Sequence, residues 1–311
     1  MDVLARRTRI VESLERVLEA AYVDDLASGH TGATIMRFRL HQDGRLLVAK
    51  CCLSEDATEA LADIRANIQG YAAMHAIGAD AFVPPEYTVH RINGCPVLTM
   101  RYLGESFRTR VEQGENDGYL DLCEHLGRVV PRALRRDAAG ERSRHGVEAV
   151  IAAIQRYAAP LATLVGPNAI AMFFARVPTL PSASVALMLL DCTPDNVFVD
   201  AKRCTVIDPW EQATYLGNPA VSIGQFVTLA RDVYALRGAK KGGKLLEGFV
   251  TDELPGLLGC TPDTAAHAFQ LGAALQFVCS AYVRRTSDPQ TARVYLSRAT
   301  AAYTAALGGV P

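Results

Sequence analysis

The chain has 311 residues, of which 50% are hydrophobic and 21% are charged, and its formal net charge is −1. Its 32 basic and 33 acidic residues nearly balance, which argues against non-specific electrostatic binding to nucleic acid or to an anionic membrane. No apolar run reaches the ~20 residues of a membrane span, and the first residues lack the apolar core of a secretion signal. The eight cysteines form no Cys-x-x-Cys pair. We therefore expect a cytoplasmic protein with reduced thiols, acting as a monomer or homodimer without nucleic-acid or membrane partners.

The first third of the sequence predicts a small sheet with helices beside it. Apolar residues at helical spacing predict an amphipathic helix over 4–21 and a second helix over 55–77. Strand-like runs occupy residues 33–40, 45–52, 87–92 and 96–103. Asp43-Gly44 and Asn93-Gly94 separate these runs in pairs and predict two hairpins, because glycine tolerates the positive φ of a tight turn.

The rest of the sequence predicts mainly helices. They are expected at about 117–135, 146–165 and 222–237, with two more between 263 and 307. A strand-rich island over residues 185–208 interrupts them. A chain of this length fits two lobes, and we expect an N-terminal lobe over 1–103 and a C-terminal lobe over 104–311.

The strand-rich island carries the residues best suited to chemistry. Asp191 and Asn196 stand on one predicted loop, and Asp208 follows a short hairpin, so three oxygen-bearing side chains can converge. Oxygen ligands are what Mg²⁺ requires, and an aspartate beside that metal can accept a proton from an attacking hydroxyl. Each residue alone is compatible with an ordinary turn or helix cap. Their combined order favours a catalytic site.

At this point the sequence resembles a known family. Asp191-Cys-Thr-Pro-Asp-Asn196 is similar to the catalytic loop of the aminoglycoside phosphotransferase-like kinases, which include the choline kinase type. Val206-Ile-Asp-Pro-Trp210 resembles the metal-binding segment of that family, and Gly217-Asn218-Pro219 resembles the Gly-Asp-Pro that follows it. The resemblance implies an α+β, bilobal protein-kinase-like fold. Its N-lobe is a small antiparallel sheet of five strands with one helix, and its C-lobe is larger and mainly helical.

The resemblance also implies roles for individual residues. Asp191 is the expected catalytic base or orienting carboxylate, Asn196 and Asp208 are the expected Mg²⁺ ligands, and Lys50 is expected to contact the nucleotide phosphates. The remaining expected nucleotide contacts are Gly29, His30, Thr31 and Gly32 over the triphosphate, and Met100, Arg101, Tyr102 and Leu103 beside the adenine. The expected acceptor-binding residues are Trp210, Glu211, Arg237 and Arg284.

The sequence departs from the family pattern at several positions. Leu189-Leu190 stands where the family has His-Gly, Asn218 replaces the aspartate of Gly-Asp-Pro, and Ser222 stands where another structural aspartate is common. The usual glutamate partner of the lysine is also missing at its expected distance. Glu59, Asp63 and Gln69 remain as alternatives.

These residues predict an ATP- or GTP-dependent, Mg²⁺-requiring O-phosphotransferase that acts on a hydroxyl of a small molecule. An antibiotic, sugar, nucleoside or natural-product intermediate would fit, in a resistance or a biosynthetic role. The basic residues of the C-terminal part, among them Arg237 and Arg284, favour a neutral or anionic acceptor over a polycationic aminoglycoside. The alternative is a catalytically impaired kinase-like protein that binds a nucleotide or a partner. A protein kinase is disfavoured because no Ala-Pro-Glu segment follows Asp208.

Overall fold

The computed structural model describes residues 3–28, 33–52, 58–76, 78–115, 118–125, 141–176, 178, 186–189, 192–199, 203–209 and 214–308. The chain divides into two units. The first, here the sheet unit, comprises Met1–His75, Phe82–Gly104 and Val206–Glu211. The second, here the helical unit, comprises Ala76–Ala81, Glu105–Thr205 and Gln212–Pro311.

Five strands form the sheet of the sheet unit. They are β1 (Ala20–Ser28), β2 (Thr34–Leu40), β3 (Leu46–Cys51), β4 (Thr88–Ile92) and β5 (Cys95–Arg101). Neighbouring strands are antiparallel in the order β1-β2-β3-β5-β4. This confirms the predicted five-stranded antiparallel sheet and places β3 at its centre, where Lys50 pairs with Ile35 on one side and Leu98 on the other.

One face of this sheet packs against α1 (Val3–Leu18). Side chains alternate between the two faces of a strand, so Met36 and Phe38 of β2 point to the same side as Ala49 of β3. Together with Leu14 of α1 they form a core from which water is excluded. Burial of this apolar area provides the main driving force for joining α1 to the sheet.

The opposite face of β3 is turned toward α2 (Thr58–Ala76). Because Ala49 and Cys51 face the α1 side, Lys50 between them must point the other way. It reaches Asp63 of α2, and its side chain is almost fully buried. Because side-chain directions alternate along β3, the charged side chain of Lys50 lies between the sheet and α2.

The helical unit contains most of the helices. They are α3 (Phe107–Glu112), α4 (118–125), α5 (Glu141–Ala158), α6 (Ala162–Val165), α7 (Pro167–Ile170), α8 (Met172–Ala175), α9 (Ala220–Thr228), α10 (Ala239–Gly248), α11 (Leu254–Leu258), α12 (Pro262–Arg284) and α13 (Pro289–Ala306). Single helical turns occur at Asp80–Phe82, Ala159–Leu161, Leu229–Val233 and Phe249–Glu253. The predominance of helix after the sheet confirms the predicted fold class.

Two short strand pairs accompany these helices. The strands are β6 (Ala186–Leu189), β7 (Val197–Val199), β8 (Cys204–Val206) and β9 (Thr214–Gly217). β6 pairs with β9 in antiparallel fashion, and β7 pairs with β8. The predicted island of strands is therefore present, and β9 adds a strand that the sequence pattern did not indicate.

Two of the predicted helices differ in the structure from their patterns. The helix predicted over 146–165 begins earlier, at Glu141, and reaches Val165 as predicted, but it is interrupted at Ala159–Leu161 by a tighter turn that contains Pro160, which has no N–H for an α-helical hydrogen bond. The helix predicted over 222–237 ends as a π-helical turn at Val233, shortly before Ala235 takes a positive φ of 51°. The helix predicted over 117–135 is described only for 118–125. In the part of the chain that the structure describes, no helix combines the length and the apolar character needed to cross a membrane.

Candidate functional site

Lys50 is the centre of a buried polar cluster in the sheet unit. Its Nζ lies 2.7 Å from Asn67 Oδ1, 2.9 Å from Asp63 Oδ2 and 3.0 Å from Asp208 Oδ1. The lysine residue is only 4% exposed and Asn67 is fully buried. The structure thus brings together two of the residues predicted from the sequence, Lys50 and Asp208.

An ammonium group has three N–H donors and no acceptor. Three oxygens at hydrogen-bond distance therefore engage all the donors that Lys50 has. Of the two carboxylates, the side chain of Asp208 is 30% exposed, whereas that of Asp63 is 10% exposed. A phosphate oxygen can bind Lys50 most readily by taking the place of Asp208, the more accessible partner.

The residues that α2 contributes around Lys50 and Asp208 are spaced one helical turn apart. Asp63, Asn67 and Tyr71 stand four residues apart and so share one face of α2. Asn67 must turn its Oδ1 toward the lysine, because an ammonium cannot accept a hydrogen bond. Its Nδ2 is then turned the other way, and it lies 3.5 Å from the carbonyl oxygen of Pro209. Asn67 thus contacts both Lys50 and the segment that carries Asp208.

Asp208 itself has an uncommon backbone conformation. Its φ is +53°, in the left-handed region that residues with a Cβ seldom adopt. Tyr71 is fully buried beside it, and burial, with the neighbouring Asp208 charge, raises the pKa of the Tyr71 phenol well above its usual value. Strained backbone held by surrounding contacts is frequent at functional sites.

The partner of Lys50, which the sequence left open among three residues, is Asp63. Glu59 and Gln69 are exposed, Glu59 one turn before Asp63 near the start of α2, whereas Asp63 makes the ion pair. Because α2 begins at Thr58, its first full turns present Asp63 and then Asn67 toward β3. Sequence reasoning missed Asn67 and Tyr71, although their spacing from Asp63 was a usable signal.

The described part of the predicted catalytic loop belongs to the helical unit. Strand β6 ends at Leu189, whose backbone N–H donates to Ser222 Oγ at 2.8 Å and whose carbonyl accepts from the same hydroxyl at 3.0 Å. One buried serine thus satisfies both backbone groups two residues before Asp191. Further along, the backbone N–H of Asn196 donates to the carbonyl of Thr193 and closes a turn.

Helix α3 contacts the same loop. The backbone N–H of Arg108 donates to the carbonyl of Pro194 at 3.0 Å, and the Arg110 guanidinium donates to the carbonyl of Val199. The Arg108 side chain lies over the ring of Tyr234 and pairs with Glu112. No local sequence pattern indicates these arginine contacts, because they depend on tertiary structure.

The predicted adenine-binding segment lies where β5 ends. Met100 is buried on β5, Arg101 is its last residue, and the backbone N–H of Tyr102 donates to the carbonyl of Leu46. The Arg37 guanidinium lies over the Tyr102 ring. Leu103 follows with a half-buried side chain. The structure thus places these four positions at the end of β5 and in the two residues that follow it.

The remaining predicted residues divide into two groups. In the helical unit, Arg237 is exposed and Arg284 lies over the ring of Tyr295, with 5.3 Å between its Cζ and the ring centroid. Gly29, His30, Thr31, Gly32, Asp191, Trp210 and Glu211 lie outside the described residues. Within the described ranges, no three histidine, cysteine, aspartate or glutamate side chains are grouped as metal ligands.

Comparison with solved structures shows what this fold is similar to. A choline kinase from Cryptosporidium parvum matches with a TM-score of 0.59 at 9% identity, over 96% of this chain and 95% of that one. A choline/ethanolamine kinase family protein from Mesorhizobium loti matches with a TM-score of 0.54 at 14% identity, over 98% and 97%. An ADP-bound aminoglycoside phosphotransferase matches with a TM-score of 0.52 at 11% identity, over 94% and 98%.

No protein-family model matches the sequence, and no curated protein does. At identities this low, similarity between structures reports the fold. It spans nearly the whole length of this chain and of each of these kinases. The predicted resemblance is therefore confirmed at the level of the fold: the chain has the kinase-like fold of the choline kinases and aminoglycoside phosphotransferases.

Proposed function

We propose that this chain is an ATP- or GTP-dependent, Mg²⁺-requiring phosphotransferase that transfers the γ-phosphoryl group to a hydroxyl of a small molecule. The observation that carries the proposal is Lys50, buried between Asp63 and Asp208 in a fold shared with small-molecule kinases. Burying charges costs free energy that an apolar core would not cost. Buried charged clusters of this kind are frequent at functional sites, and the positive charge of Lys50 suits it to bind the phosphates of a nucleotide.

The roles follow from the chemistry of each group. Lys50 binds the phosphates, and Asn196 and Asp208 would hold Mg²⁺, since both offer the oxygen donors that this ion prefers. When bound, the ion neutralises charge on the phosphates. Asp191 orients the acceptor hydroxyl and takes its proton. Residues 29–32 cover the triphosphate, and the backbone of 100–103 contacts the adenine.

We further propose a neutral or anionic acceptor. Arg237 is exposed and has the charge to attract an anionic group. Trp210 and Glu211 stay proposed acceptor-binding residues on the family resemblance alone. Arg284 is a weaker candidate, because its guanidinium is already stacked on Tyr295. The protein would work in the cytoplasm, where its eight free cysteines stay reduced.

The test is acceptor-dependent formation of ADP or GDP. Wild type and Asp191→Asn are incubated with each nucleotide, Mg²⁺ and a panel of sugars, nucleosides, amino alcohols and aminoglycosides, and mass spectrometry detects phosphorylated product. We expect product from a neutral or anionic hydroxyl compound, and a loss of turnover in Asp191→Asn by about 10³-fold with folding unchanged. Equal turnover in the two proteins would overturn the assignment.

A second candidate, a kinase-like binding protein without turnover, is favoured by two observations. All three donors of Lys50 are engaged, and Leu189-Leu190 replaces the His-Gly of the family pattern. That candidate predicts nucleotide binding that is indifferent to Mg²⁺, with no product from any acceptor. The same assay therefore separates the two.

A further inference from the structure

Helix α3 contacts one short segment of the predicted catalytic loop at three points, one of which is the ion pair of the Arg108 guanidinium with Asp195 at 3.4 Å. At the start of the segment, the backbone N–H of Arg108 donates to Pro194. At its end, the Arg110 guanidinium donates to the carbonyl of Val199. Asn196 lies between Pro194 and Val199, two residues after the first and three before the second. A peptide segment fixed at both ends over so few residues has little conformational freedom left.

The Arg110 guanidinium is itself oriented. Its Nε donates to Glu115 Oε2 at 2.7 Å, and its side chain is only 24% exposed. A guanidinium is a planar fork, so a contact at Nε sets the direction of its terminal N–H groups. Glu115 therefore helps to aim Arg110 at Val199. A lysine, with a single charged nitrogen, could not hold both contacts in this geometry.

The carbonyl of Val199 needs such a donor. Val199 is buried, and it ends β7, a strand of three residues that pairs with β8 in a two-stranded sheet of the described residues. A buried carbonyl without a hydrogen bond is costly. Without Arg110, the end of β7 would lose this donor, and Asn196 directly precedes that strand.

We propose that Arg110 is a positioning residue for Asn196, and this rests on the proposed function of Asn196 as a Mg²⁺ ligand. In this role Arg110 acts through the protein backbone and needs no contact with nucleotide or metal. It fixes the end of β7, and through β7 it fixes the loop position from which Asn196 offers its oxygen. Residues that orient a metal ligand typically change metal affinity by 10–100-fold when replaced.

The test compares Arg110→Met and Arg110→Lys with Arg293→Met. Arg293 is a matched control, because it also donates from its guanidinium to a backbone carbonyl of the helical unit, that of Leu164 at 3.5 Å. Amide hydrogen exchange is measured without metal over residues 192–199. ATP binding is measured by calorimetry across a range of Mg²⁺ concentrations, so no turnover is needed.

We expect both Arg110 variants to exchange at least 10-fold faster over 192–199 and to need about 10-fold more Mg²⁺ for half-maximal tightening of ATP binding. ATP binding without Mg²⁺ should stay within about twofold of wild type, and Arg293→Met should match wild type in every measurement. Arg110→Lys keeps the charge, so it remains informative if the methionine variant folds poorly.

Three outcomes would overturn the inference. They are unchanged exchange over 192–199, faster exchange without a change in Mg²⁺ dependence, and an equal effect of Arg293→Met. A failure of the proposed function gives a different result. If the chain binds nucleotide with Mg²⁺ but transfers no phosphoryl group, wild type shows Mg²⁺-dependent ATP binding without phosphorylated product, and the effect of Arg110 on the Mg²⁺ requirement is still measured. If ATP binding to wild type is indifferent to Mg²⁺, the proposed function and the Mg²⁺ role of Asn196 both fail before any variant is compared.

Discussion

Each of the two units contains a set of close contacts in its interior, and the two sets differ in kind: one joins charged and polar side chains, and the other joins helix backbones. In the sheet unit, three oxygens lie within 3.0 Å of Lys50 Nζ. In the helical unit, α9 and α12 meet at glycines. A Cβ on Gly272 would lie 1.9 Å from the Val221 carbonyl oxygen, and one on Gly224 would lie 2.1 Å from that of Phe269.

The difference distinguishes contacts that stabilise the fold from contacts that can bind a ligand. The glycine contacts bring no charge into the interior, and they let two helix backbones pack with large contact area. The lysine cluster buries charge, which stabilises a fold little or not at all compared with apolar packing. We therefore assign the glycine contacts to stability and the lysine cluster to binding, and substitutions should tell them apart.

The largest effect on stability is expected for Gly272→Ala. The added methyl group would meet backbone atoms of Val221, which cannot move as a flexible side chain would. We expect the free energy of unfolding, measured by urea denaturation, to fall by more than ~3 kcal/mol. Gly256→Ala is the control, since nothing lies within 4 Å of its Cβ. A loss of ~1 kcal/mol or less at Gly272 would contradict this account of α9 and α12.

A smaller loss of stability, with a loss of binding, is expected for Asp63→Ala. Lys50 would keep Asn67 and Asp208 but lose its most buried carboxylate. Unfolding free energy should fall by about 2 kcal/mol, and ATP affinity by about 10-fold, because the lysine is less well oriented. Glu59→Ala, at an exposed position in the first turn of α2, should change stability by less than ~1 kcal/mol. An equal effect at Glu59 would refute Asp63 as the partner.

A pH-dependent effect is expected on the other face of β3. Burial raises the pKa of the Cys51 thiol from 9.0 to about 12. Below pH 9 the thiol is protonated whether the chain is folded or not, so it adds no pH dependence. Between pH 9 and 12 only the unfolded chain gains the thiolate, so stability falls by about 1.4 kcal/mol per pH unit from this group.

Cys51→Ala should remove this contribution to the fall of the unfolding free energy with pH. Unfolding free energies measured at pH 8, 9 and 10 test this. Cys260→Ala is the matched control. Burial also raises the pKa of the Cys260 thiol, but by less, so this variant should change the slope less. Parallel pH profiles for wild type and Cys51→Ala would show that the thiol titrates as readily in the folded chain as in the unfolded one.

The smallest effect is expected for Arg45→Ala. Arg45 pairs with Asp43 and Glu86, but each of the three side chains is more than a third exposed. Exposed ion pairs contribute little, and salt screens them. We expect a change below ~1 kcal/mol that shrinks further in 1 M salt. A loss as large as that of Asp63→Ala would mean that burial is not what distinguishes the lysine cluster.

Much of the sheet unit could be predicted because its signals are local. The two hairpins, the second helix and the lysine on the second predicted strand all follow from residue alternation and turn chemistry. Strand β1 was not located, because Asp24 and Asp25 interrupt its pattern. Arg37 of β2 and Arg7 of α1 pair with these two acids, and neither partner is visible in a local window.

The candidate site could be predicted only in part, for a related reason. Residue types and order indicated Lys50 and Asp208, whose contact the structure shows. The partner on α2 could not be chosen, because it depends on the residue at which that helix begins. The contacts of Arg110 and Ser222 join segments that are distant in sequence, so no spacing rule could have indicated them.

The central claim is that Lys50 and Asp208 form a metal-dependent nucleotide site, and ATP binding measured by calorimetry with and without Mg²⁺ tests it most directly. Wild type is compared with Asp208→Ala. In wild type, ATP alone must displace Asp208 from Lys50, so we expect Mg²⁺ to tighten binding at least 10-fold. In Asp208→Ala, Mg²⁺ should have little effect, and ATP alone should bind at least as tightly as to wild type. Equal ATP affinity with and without Mg²⁺ in both proteins would contradict the account.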